Sequence, residues 1–497
     1  MKRRAFLRNL GYGVGMSAVA SSSWARSERQ RQPNVLIIHT DQHNFRTLGC
    51  YRETLTPNQA FVWGEGVKVD TPHIDRLAHE GALCTRFYAT SPVCSPSRAA
   101  FVSGMYPQRT PVTNNNVAMS DKVVTFAEIL RREGYATGYL GKWHLDGKEK
   151  PQWAPQRHFG FEDNAYMFNR GHWKQLEDGP EGPRVKSRGK NGKPDYGIDG
   201  ADETSFTTDF LTTKTLEFIE RSGDRPFCCM VSIPDPHGPI LVRPPYDKQF
   251  ADLPFTMPRT ALKKEEGVPS WASRSTEGEQ FSPDSVARYF GMVKCIDDNV
   301  GRMLSTLEKR GILDDTIVVF TSDHGDMMGE HGRFNKGVPL EGSAKIPFIL
   351  RYPPKVKAGT LVREALGCVD FLPTLMALME IETQHEVDGR DASSLFVKGQ
   401  QPPGWEDVTF LRKGGSGERG WIAAVTSRFK LVLSSQDPPW LVDLEKDPDE
   451  LINCIDSPEC KSIGRALASQ LKGYCELCKD PYLDVPGIRK SLADLLQ

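Results

Sequence analysis

The stretch "NVLIIHTDQ" (residues 34–42) decides the fold of this chain. It is a short apolar run that ends in polar residues, which is typical of a strand buried on both faces of a parallel sheet. The stretch "TIVVFTSDHGD" (residues 316–326) repeats this plan. Both are therefore predicted to be parallel strands whose carboxyl ends carry functional groups.

Helical stretches alternate with further apolar runs along the chain. The helical stretches cover residues 125–134 and 286–311, and the apolar runs cover residues 226–234 and 347–353. This alternation predicts an α/β fold: a large doubly wound, mostly parallel sheet flanked by helices, with a smaller C-terminal antiparallel sheet plus helix.

Two segments rich in glycine and proline divide the chain. Residues 171–203 are predicted to be a long surface insertion without regular elements, and a breaker cluster lies at 397–407. A large domain over 33–396 and a C-terminal subdomain over 405–497, with four β-like segments, follow from these boundaries.

Polar side chains directly follow the two strands. Asp41 and Gln42 follow the first strand, and Asp323 and His324 follow the second. If the strand ends lie side by side, these groups form an oxygen-rich site for a hard divalent cation. Either aspartate alone would be read as a strand-end cap, but two acidic strand ends favour the metal site.

Composition excludes whole-molecule electrostatic recognition. The 497 residues contain 63 Lys and Arg against 64 Asp and Glu, a formal charge of -1. No general field attracts the chain to nucleic acid or to anionic lipid, so recognition of charge must be local.

The N-terminus predicts export. Residues 1–25 contain a basic cluster, a mildly apolar glycine-rich stretch and a small-residue site, and Arg3-Arg4 followed by Phe6-Leu7 is similar to a twin-arginine signal peptide. A basic amphipathic first helix or a retained membrane anchor is the alternative. No other stretch is long and apolar enough to be inserted stably in a membrane, so a periplasmic or secreted location is expected.

Of 11 cysteines, four lie near the C-terminus: Cys454, Cys460, Cys475 and Cys478. Two disulfides, plain thiols or a zinc site are possible, and the spacing favours disulfides or thiols over zinc. Their pairing stays open.

Cys94 stands in "SPVCSPSRAAFVSGMYP" (residues 91–107), at the predicted start of a helix. A nucleophile, half a disulfide and a buried structural thiol are all compatible with its position. A helix N-terminus presents free N–H groups and Arg98 lies one turn along, so the position suits an anion.

The segment Cys94-Ser95-Pro96-Ser97-Arg98, followed by Gly104 and "YPQRT" (106–110), resembles the signature of the type I sulfatases, in the alkaline-phosphatase superfamily. The resemblance extends over nearly the whole chain after residue 33, through "NVLIIHTDQ", "GYATGYLGKWHL", "SIPDPHGP" and "TSDHGDMMGEHG". It implies that a maturation enzyme oxidises Cys94 to Cα-formylglycine, whose aldehyde hydrates to a geminal diol.

The resemblance also implies the roles of individual residues. One diol oxygen of residue 94 binds the metal beside Asp41, Gln42, Asp323 and His324, and the other attacks sulfur. Ca²⁺ is the expected ion, with Mg²⁺ or Mn²⁺ as alternatives.

The remaining implied catalytic residues surround the diol and the sulfate. Arg98 belongs to the signature. Lys142 and His144 contact the diol, and His144 later accepts its second proton. His237 and Lys336 hold the sulfate and assist protonation of the leaving group.

Three positions depart from the family pattern. Gln42 stands where many members carry a second aspartate, Met105 replaces a frequent arginine, and Asp146 replaces a glycine. A basic run in the insertion could grip a sulfated glycan or be a solvated loop; it consists of Arg184, Lys186, Arg188, Lys190 and Lys193.

The predicted function is hydrolysis of a sulfate monoester, on a sulfated carbohydrate. The alternatives are a phosphonate monoester or phosphodiester hydrolase of the same superfamily, since relatives with the Asp-Gln pair perform that reaction, and a non-catalytic binder of sulfated glycans. The natural substrate, its sulfate position and endo or exo action stay open.

Overall fold

A large mixed sheet organises the chain in a computed structural model that describes residues 32–262, 268–273, 281–415 and 420–497. The predicted signal peptide, residues 1–25, lies outside the described residues.

The strands are β1 Asn34–Asp41, β2 Ala82–Cys84, β3 Phe87–Tyr88, β4 Ala136–Lys142, β5 Met167–Phe168, β6 Leu176–Gly179, β7 Gly182–Val185, β8 Phe227–Pro236, β9 Thr316–Ser322, β10 Phe348–Arg351, β11 Thr360–Val362, β12 Leu366–Gly367, β13 Thr409–Arg412, β14 Trp421–Val425, β15 Phe429–Ser434 and β16 Trp440–Asp443. The α-helices are α1 Gly49–Arg52, α2 Pro57–Ala60, α3 Pro72–His79, α4 Cys94–Ser103, α5 Phe126–Arg132, α6 Thr207–Arg221, α7 Pro283–Lys309, α8 Glu341–Ala344, α9 Phe371–Leu378, α10 Ser393–Lys398, α11 Pro458–Cys478 and α12 Pro486–Leu496.

Within the described ranges the main sheet has eight strands in the order β11-β2-β10-β9-β1-β8-β4-β5. Every neighbouring pair is parallel except the two pairs that involve β10. The predicted mostly parallel sheet is therefore confirmed. The carboxyl ends of β4, β8, β1 and β9 lie next to one another along one edge.

Both faces of the sheet are covered, which explains the unbroken apolar runs. In β1, Val35 and Ile37 pack into a core shared with α4, α5 and α9. Leu36 and Ile38 face the opposite core, shared with α3, α6 and α7. Alternate side chains of one strand thus enter two different helical layers, as in a doubly wound fold.

The C-terminal segments form a four-stranded antiparallel sheet in the order β13-β14-β15-β16, as predicted. Two helices follow it, α11 and α12, rather than one. Ile422 and Leu431 face these helices, whereas Trp421 and Val432 pack on Tyr88 of the catalytic part. Residues 33–497 form one compact unit.

The prediction that residues 171–203 lack regular elements is wrong for the first half of this segment. Strands β6 and β7 form an antiparallel hairpin there. Trp173, Lys174 and Leu176 are buried at its start, and Trp173 and Leu176 pack into the core of α6 and α7. The high glycine and proline content of the segment led to the wrong prediction, because Trp173 and Leu176 are its few apolar residues at this point.

All 11 cysteines carry free thiols. The sulfurs of Cys454 and Cys460 lie 2.8 Å apart. Among the described residues, no group of three converging metal-ligating side chains includes a C-terminal cysteine. The positions of the four C-terminal cysteines therefore do not support a zinc site.

No helix in the part of the chain that the structure describes is both long enough and apolar enough to cross a bilayer.

Candidate active site

The carboxylates at the strand ends meet at the centre of the sheet edge. Asp41 ends β1 and Asp323 directly follows β9, and the two strands pair in parallel with Thr40 opposite Ser322. The backbone N–H of Gln42 donates to Asp323 Oδ1 at 3.0 Å. The structure thus brings the two predicted acidic strand ends into one buried site.

Cys94 is the first residue of α4 and lies over these strand ends. Its Sγ is 3.2 Å from His324 Nε2 and 3.9 Å from Asp41 Oδ1. The ligand atoms of Asp41, Cys94, Asp323 and His324 all lie within 4.8 Å of one another, and all four residues are buried. For a formylglycine hydrate, the sulfur stands in for the hydroxyl oxygens bonded to the same carbon.

This group of donors fits a divalent cation. Burial and the adjacent Asp41 raise the pKa of Asp323, because two carboxylates in a buried site repel each other. A cation between them would relieve that repulsion. Two carboxylates and an imidazole are ordinary ligands of Ca²⁺, Mg²⁺ or Mn²⁺ sites, with the imidazole favouring a softer ion.

Gln42 lies beside this group with both ends of its amide engaged. Its Oε1 accepts a hydrogen bond from Lys336 Nζ at 2.7 Å, and its Nε2 donates to Asp326 Oδ2 at 2.6 Å. The amide oxygen therefore faces the centre, next to Lys336, and has a second lone pair besides the one that accepts from Lys336.

Arg98 holds the carboxylates rather than facing an open pocket. Its Nε donates to Asp323 Oδ2 at 2.9 Å, and a terminal nitrogen donates to Asp41 Oδ2 at 3.0 Å. The other donates to Lys142 O and Ser232 Oγ. Although burial alone would lower the pKa of Arg98, the two carboxylates raise it. Arg98 is therefore a positioning residue for the two strand-end carboxylates.

Lys142, at the end of β4, connects this group to a histidine that sequence reasoning missed. Its Nζ donates to Asp41 Oδ2 at 2.5 Å and lies 2.7 Å from His172 Nε2. Burial and the Lys142 charge lower the pKa of His172 well below its usual value. The neutral ring accepts from the ammonium. No pattern in the sequence around His172 indicated this contact.

Lys336 occupies the other side of the centre. Its Nζ lies 3.2 Å from Cys94 Sγ and 2.8 Å from His237 Nε2. Burial and the Lys336 charge lower the pKa of His237 to about 3. The rings of His237 and His172 stack, with centroids 3.6 Å apart and planes 7° apart. Two ammonium groups therefore flank a pair of stacked neutral imidazoles.

Asp41, His172 and His237 also present three ligand atoms within 4.8 Å. However, Lys142 and Lys336 already occupy the accepting nitrogens of both rings. A second cation would displace or repel these ammonium groups, so this side of the centre suits an anion.

His144 follows β4 with a left-handed backbone, at φ 63°. Ser95 Oγ donates to its carbonyl oxygen at 2.7 Å, which fixes this loop against α4. Within the described residues neither ring nitrogen makes a hydrogen bond. Burial lowers the pKa of His144 to about 4, whereas the nearby Cys94 sulfur acts in the opposite direction. A neutral imidazole here is ready to accept a proton.

Asp146, the departure in the same loop, accepts hydrogen bonds from Gln152 at 2.7 Å and Arg157 at 3.2 Å. Its carboxylate thus anchors the loop after His144.

The site combines two carboxylates, those of Asp41 and Asp323, with a nucleophile position at Cys94. Two ammonium groups, those of Lys142 and Lys336, lie close by. This arrangement is typical of a hydrolase that acts on a charged ester. The class of enzyme is therefore a hydrolase of charged esters, built on a doubly wound sheet with helices on both faces.

The chain belongs to the sulfatase family. The Sulfatase family model matches residues 33–381, and a second model, N-sulphoglucosamine sulphohydrolase, C-terminal, matches residues 329–476. The enzyme is therefore a sulfuric ester hydrolase.

The chain is similar to the "Ulvan-active sulfatase" of Formosa agariphila, with 28% identity over 460 residues, covering 90% of this chain and 81% of that one. A solved structure in complex with its substrate D-glucosamine-2-N,6-O-disulfate aligns with a TM-score of 0.74 at 22% identity, over 90% of this chain and 98% of the other. The phosphonate monoester hydrolase of Agrobacterium radiobacter aligns with a TM-score of 0.67 at 24% identity, over 90% and 96%. These structural likenesses concern the fold.

Proposed function

We propose that this enzyme cleaves a sulfate monoester of a sulfated carbohydrate, with residue 94 acting as a formylglycine hydrate. The observation that carries the proposal is the position of Cys94. Its sulfur lies 3.2 Å from His324 on the metal-type side and 3.2 Å from Lys336 on the anion-binding side.

In the first step, one hydroxyl of residue 94 passes its proton to Asp41, whose Oδ1 faces the Cys94 sulfur at 3.9 Å. The hydroxyl oxygen attacks sulfur, and the bond from sulfur to the leaving oxygen breaks. Lys142 and Lys336 hold the sulfate oxygens. The Lys336 and His237 pair, 2.8 Å apart, supplies the proton to the leaving oxygen.

In the second step, His144 accepts the proton of the remaining hydroxyl. The aldehyde re-forms as the C–O bond to sulfate breaks, and water then hydrates it again. No second attack at sulfur is needed. The lowered pKa of His144 supports this role because the ring is neutral before the step.

Asp41, Asp323 and His324 would hold the divalent ion, and Gln42 adjoins them. When bound, such an ion withdraws charge from sulfate oxygens and lowers the pKa of a coordinated hydroxyl. We propose Ca²⁺, with Mg²⁺ or Mn²⁺ as alternatives.

A carbohydrate substrate is supported by the neighbour that binds a disulfated glucosamine. We further propose that a formylglycine-generating enzyme modifies Cys94 before a twin-arginine route exports the protein to the periplasm or beyond. Arg3-Arg4 and the intact Cys94-x-Pro96-x-Arg98 core support this order.

The test is Cys94→Ser, made in a host whose maturation enzyme does not act on serine. Serine has one hydroxyl, so it can accept the sulfuryl group but cannot expel sulfate by elimination. We expect at most one turnover per enzyme and a covalent sulfo-enzyme in the mass spectrum. In the native protein, mass spectrometry should identify residue 94 as formylglycine. Steady multiple turnover by a verified serine variant would rule out the elimination step.

Phosphonate monoester hydrolysis is the second candidate, favoured by Gln42 in place of an aspartate. Rates on matched sulfate and phosphonate esters separate the two. A higher kcat/KM for the phosphonate ester would replace the first proposal.

A further inference from the structure

The position of Lys336 depends on the short segment of chain that carries it. This segment, residues 335–340, lies between the loop after β9 and the short helix α8. The ammonium group of Lys336 contacts three groups of the reacting centre, which belong to Cys94, His237 and Gln42. Because these groups come from three different parts of the chain, a small shift of the segment changes all three contacts together.

The catalytic part holds the segment from one side. The backbone N–H of Asn335 donates to Asp326 Oδ1 at 3.1 Å, and its carbonyl oxygen accepts from the N–H of Met327 at 2.8 Å. The N–H of Gly337 donates to Ser343 Oγ at 3.1 Å. These contacts fix the backbone immediately before and after Lys336.

The C-terminal sheet holds the segment from the other side. Trp421 is the first residue of β14, and its Nε1 donates to the carbonyl oxygen of Gly337 at 3.3 Å. Lys430 lies in β15, and its Nζ donates to the carbonyl oxygen of Pro339 at 2.8 Å. Both side chains are buried. Two carbonyl groups of the segment that carries Lys336 are therefore bound by side chains of the C-terminal sheet.

Lys430 is itself held rigidly. Its Nζ also donates to Glu341 Oε1 at 2.7 Å and to Glu450 Oε1 at 2.8 Å, so all three donors of the ammonium group are used. The second oxygen of Glu450 accepts from the backbone N–H of Glu341 at 2.7 Å. Burial lowers the pKa of Lys430, but the two carboxylates outweigh it and raise the pKa. A charged, fully engaged ammonium group leaves the Pro339 carbonyl little freedom to move.

We propose that Lys430 and Trp421 are positioning residues that act through Lys336, so that the C-terminal sheet sets the place of the group that protonates the leaving oxygen. This inference rests on the proposed function, because it concerns the step assigned to the Lys336 and His237 pair. A misplacement of about 1 Å at a reacting group can cost about 100-fold in rate. A cluster that only joined the sheet to the catalytic part would affect stability, but not this step in particular.

The experiment compares phenyl sulfate with 4-nitrophenyl sulfate, using the mature full-length enzyme. The two esters have similar shapes, but phenolate is the stronger base, so its departure depends more on protonation. We expect Lys430→Met to lower kcat/KM about tenfold for phenyl sulfate and at most about threefold for 4-nitrophenyl sulfate. In the Lys336→Ala background, Lys430→Met should cost less than about twofold for either ester, because the group through which it acts is already absent.

Arg428→Met is the matched control. The guanidinium of Arg428 pairs with Asp443 of β16 at 2.8 Å, so this change removes a positive charge from the same sheet at a different contact. The ratio of the two rates should not change. Trp421→Phe is the second test variant, for the case in which Lys430→Met does not fold. It keeps an aromatic ring and removes the N–H donor, and it should lower kcat/KM for phenyl sulfate about threefold.

Equal losses for both esters in Lys430→Met, or an undiminished loss in the Lys336→Ala background, would overturn the inference and leave Lys430 a purely structural residue. Wild-type rates in both Lys430→Met and Trp421→Phe would overturn it as well. If the wild-type enzyme hydrolyses neither ester, the proposed function itself fails and the inference falls with it. Thermal unfolding of each variant separates misfolding from lost positioning.

Discussion

Replacing His172 by leucine is expected to lower kcat/KM for a sulfate ester by about 10- to 30-fold. The His172 ring accepts from Lys142 Nζ at 2.7 Å, and a hydrogen bond to a charged group contributes about 1.5–3 kcal/mol. Lys142 keeps its bond to Asp41 at 2.5 Å, so the loss should lie near the lower end, at about 1.5–2 kcal/mol. Each 1.4 kcal/mol corresponds to about tenfold in rate.

The assay is initial-rate kinetics with His172→Leu, His172→Ala and His172→Gln, each checked by thermal unfolding. Leucine fills a similar space without an acceptor, whereas the amide oxygen of glutamine can still accept from Lys142. We expect glutamine to restore activity to within about threefold of wild type.

Full activity in the leucine variant would refute the positioning role of His172. Equal loss in the leucine and glutamine variants would mean that the stack on His237, 3.6 Å away, matters rather than the hydrogen bond.

Three further predictions concern the metal, stability and export. Asp323→Asn should abolish turnover and lower the content of bound divalent metal, measured by elemental analysis, at least about tenfold. Chelation of the wild-type enzyme should also abolish turnover. Full activity without metal would mean that Asp41 and Asp323 only cap their strands. Burial lowers the pKa of Lys345 to about 7, although Glu341 opposes this shift. Between pH 7 and 9 the unfolded chain therefore binds more protons than the folded one, so stability should rise with pH by up to about 1.4 kcal/mol per unit. In urea unfolding, Lys345→Met should flatten that rise, and an unchanged slope would contradict the assignment. Replacing Arg3 and Arg4 by lysine should leave the precursor in the cytoplasm, whereas unchanged export would point to the general secretory route.

The strands and their functional ends could be predicted because each signal is local. The apolar runs before Asp41 and Asp323 identified β1 and β9, and parallel pairing brought the two carboxylates together. Strand β4 gave a weaker signal, since "ATGYLGK" contains two glycines and a lysine. Lys142 at its end was recognised only through the family resemblance.

The contacts of Arg98 and His172 could not be predicted, because they depend on long-range geometry. Arg98 lies one turn into α4, where sequence reasoning favoured an anion-facing role, but its guanidinium reaches the carboxylates of two strands. His172 lies in a segment with no periodic pattern. Its stacking partner, His237, lies 65 residues further along the sequence. A local sequence pattern cannot predict a contact between residues so far apart.

The environment of Gln42 decides how its substitution for aspartate should be understood. The amide donates to Asp326 Oδ2 at 2.6 Å, and burial raises the pKa of that carboxyl. An aspartate at position 42 would place a second carboxylate near Asp326, and like charges in a buried site repel strongly. The Gln42 amide avoids that repulsion and instead donates a hydrogen bond to the Asp326 carboxyl group. Gln42 Oε1 also accepts a hydrogen bond from Lys336 Nζ at 2.7 Å, so this cation stays beside residue 94 whether the ester is a sulfate or a phosphonate. The sulfate monoester is the favoured substrate because the Sulfatase family model matches residues 33–381.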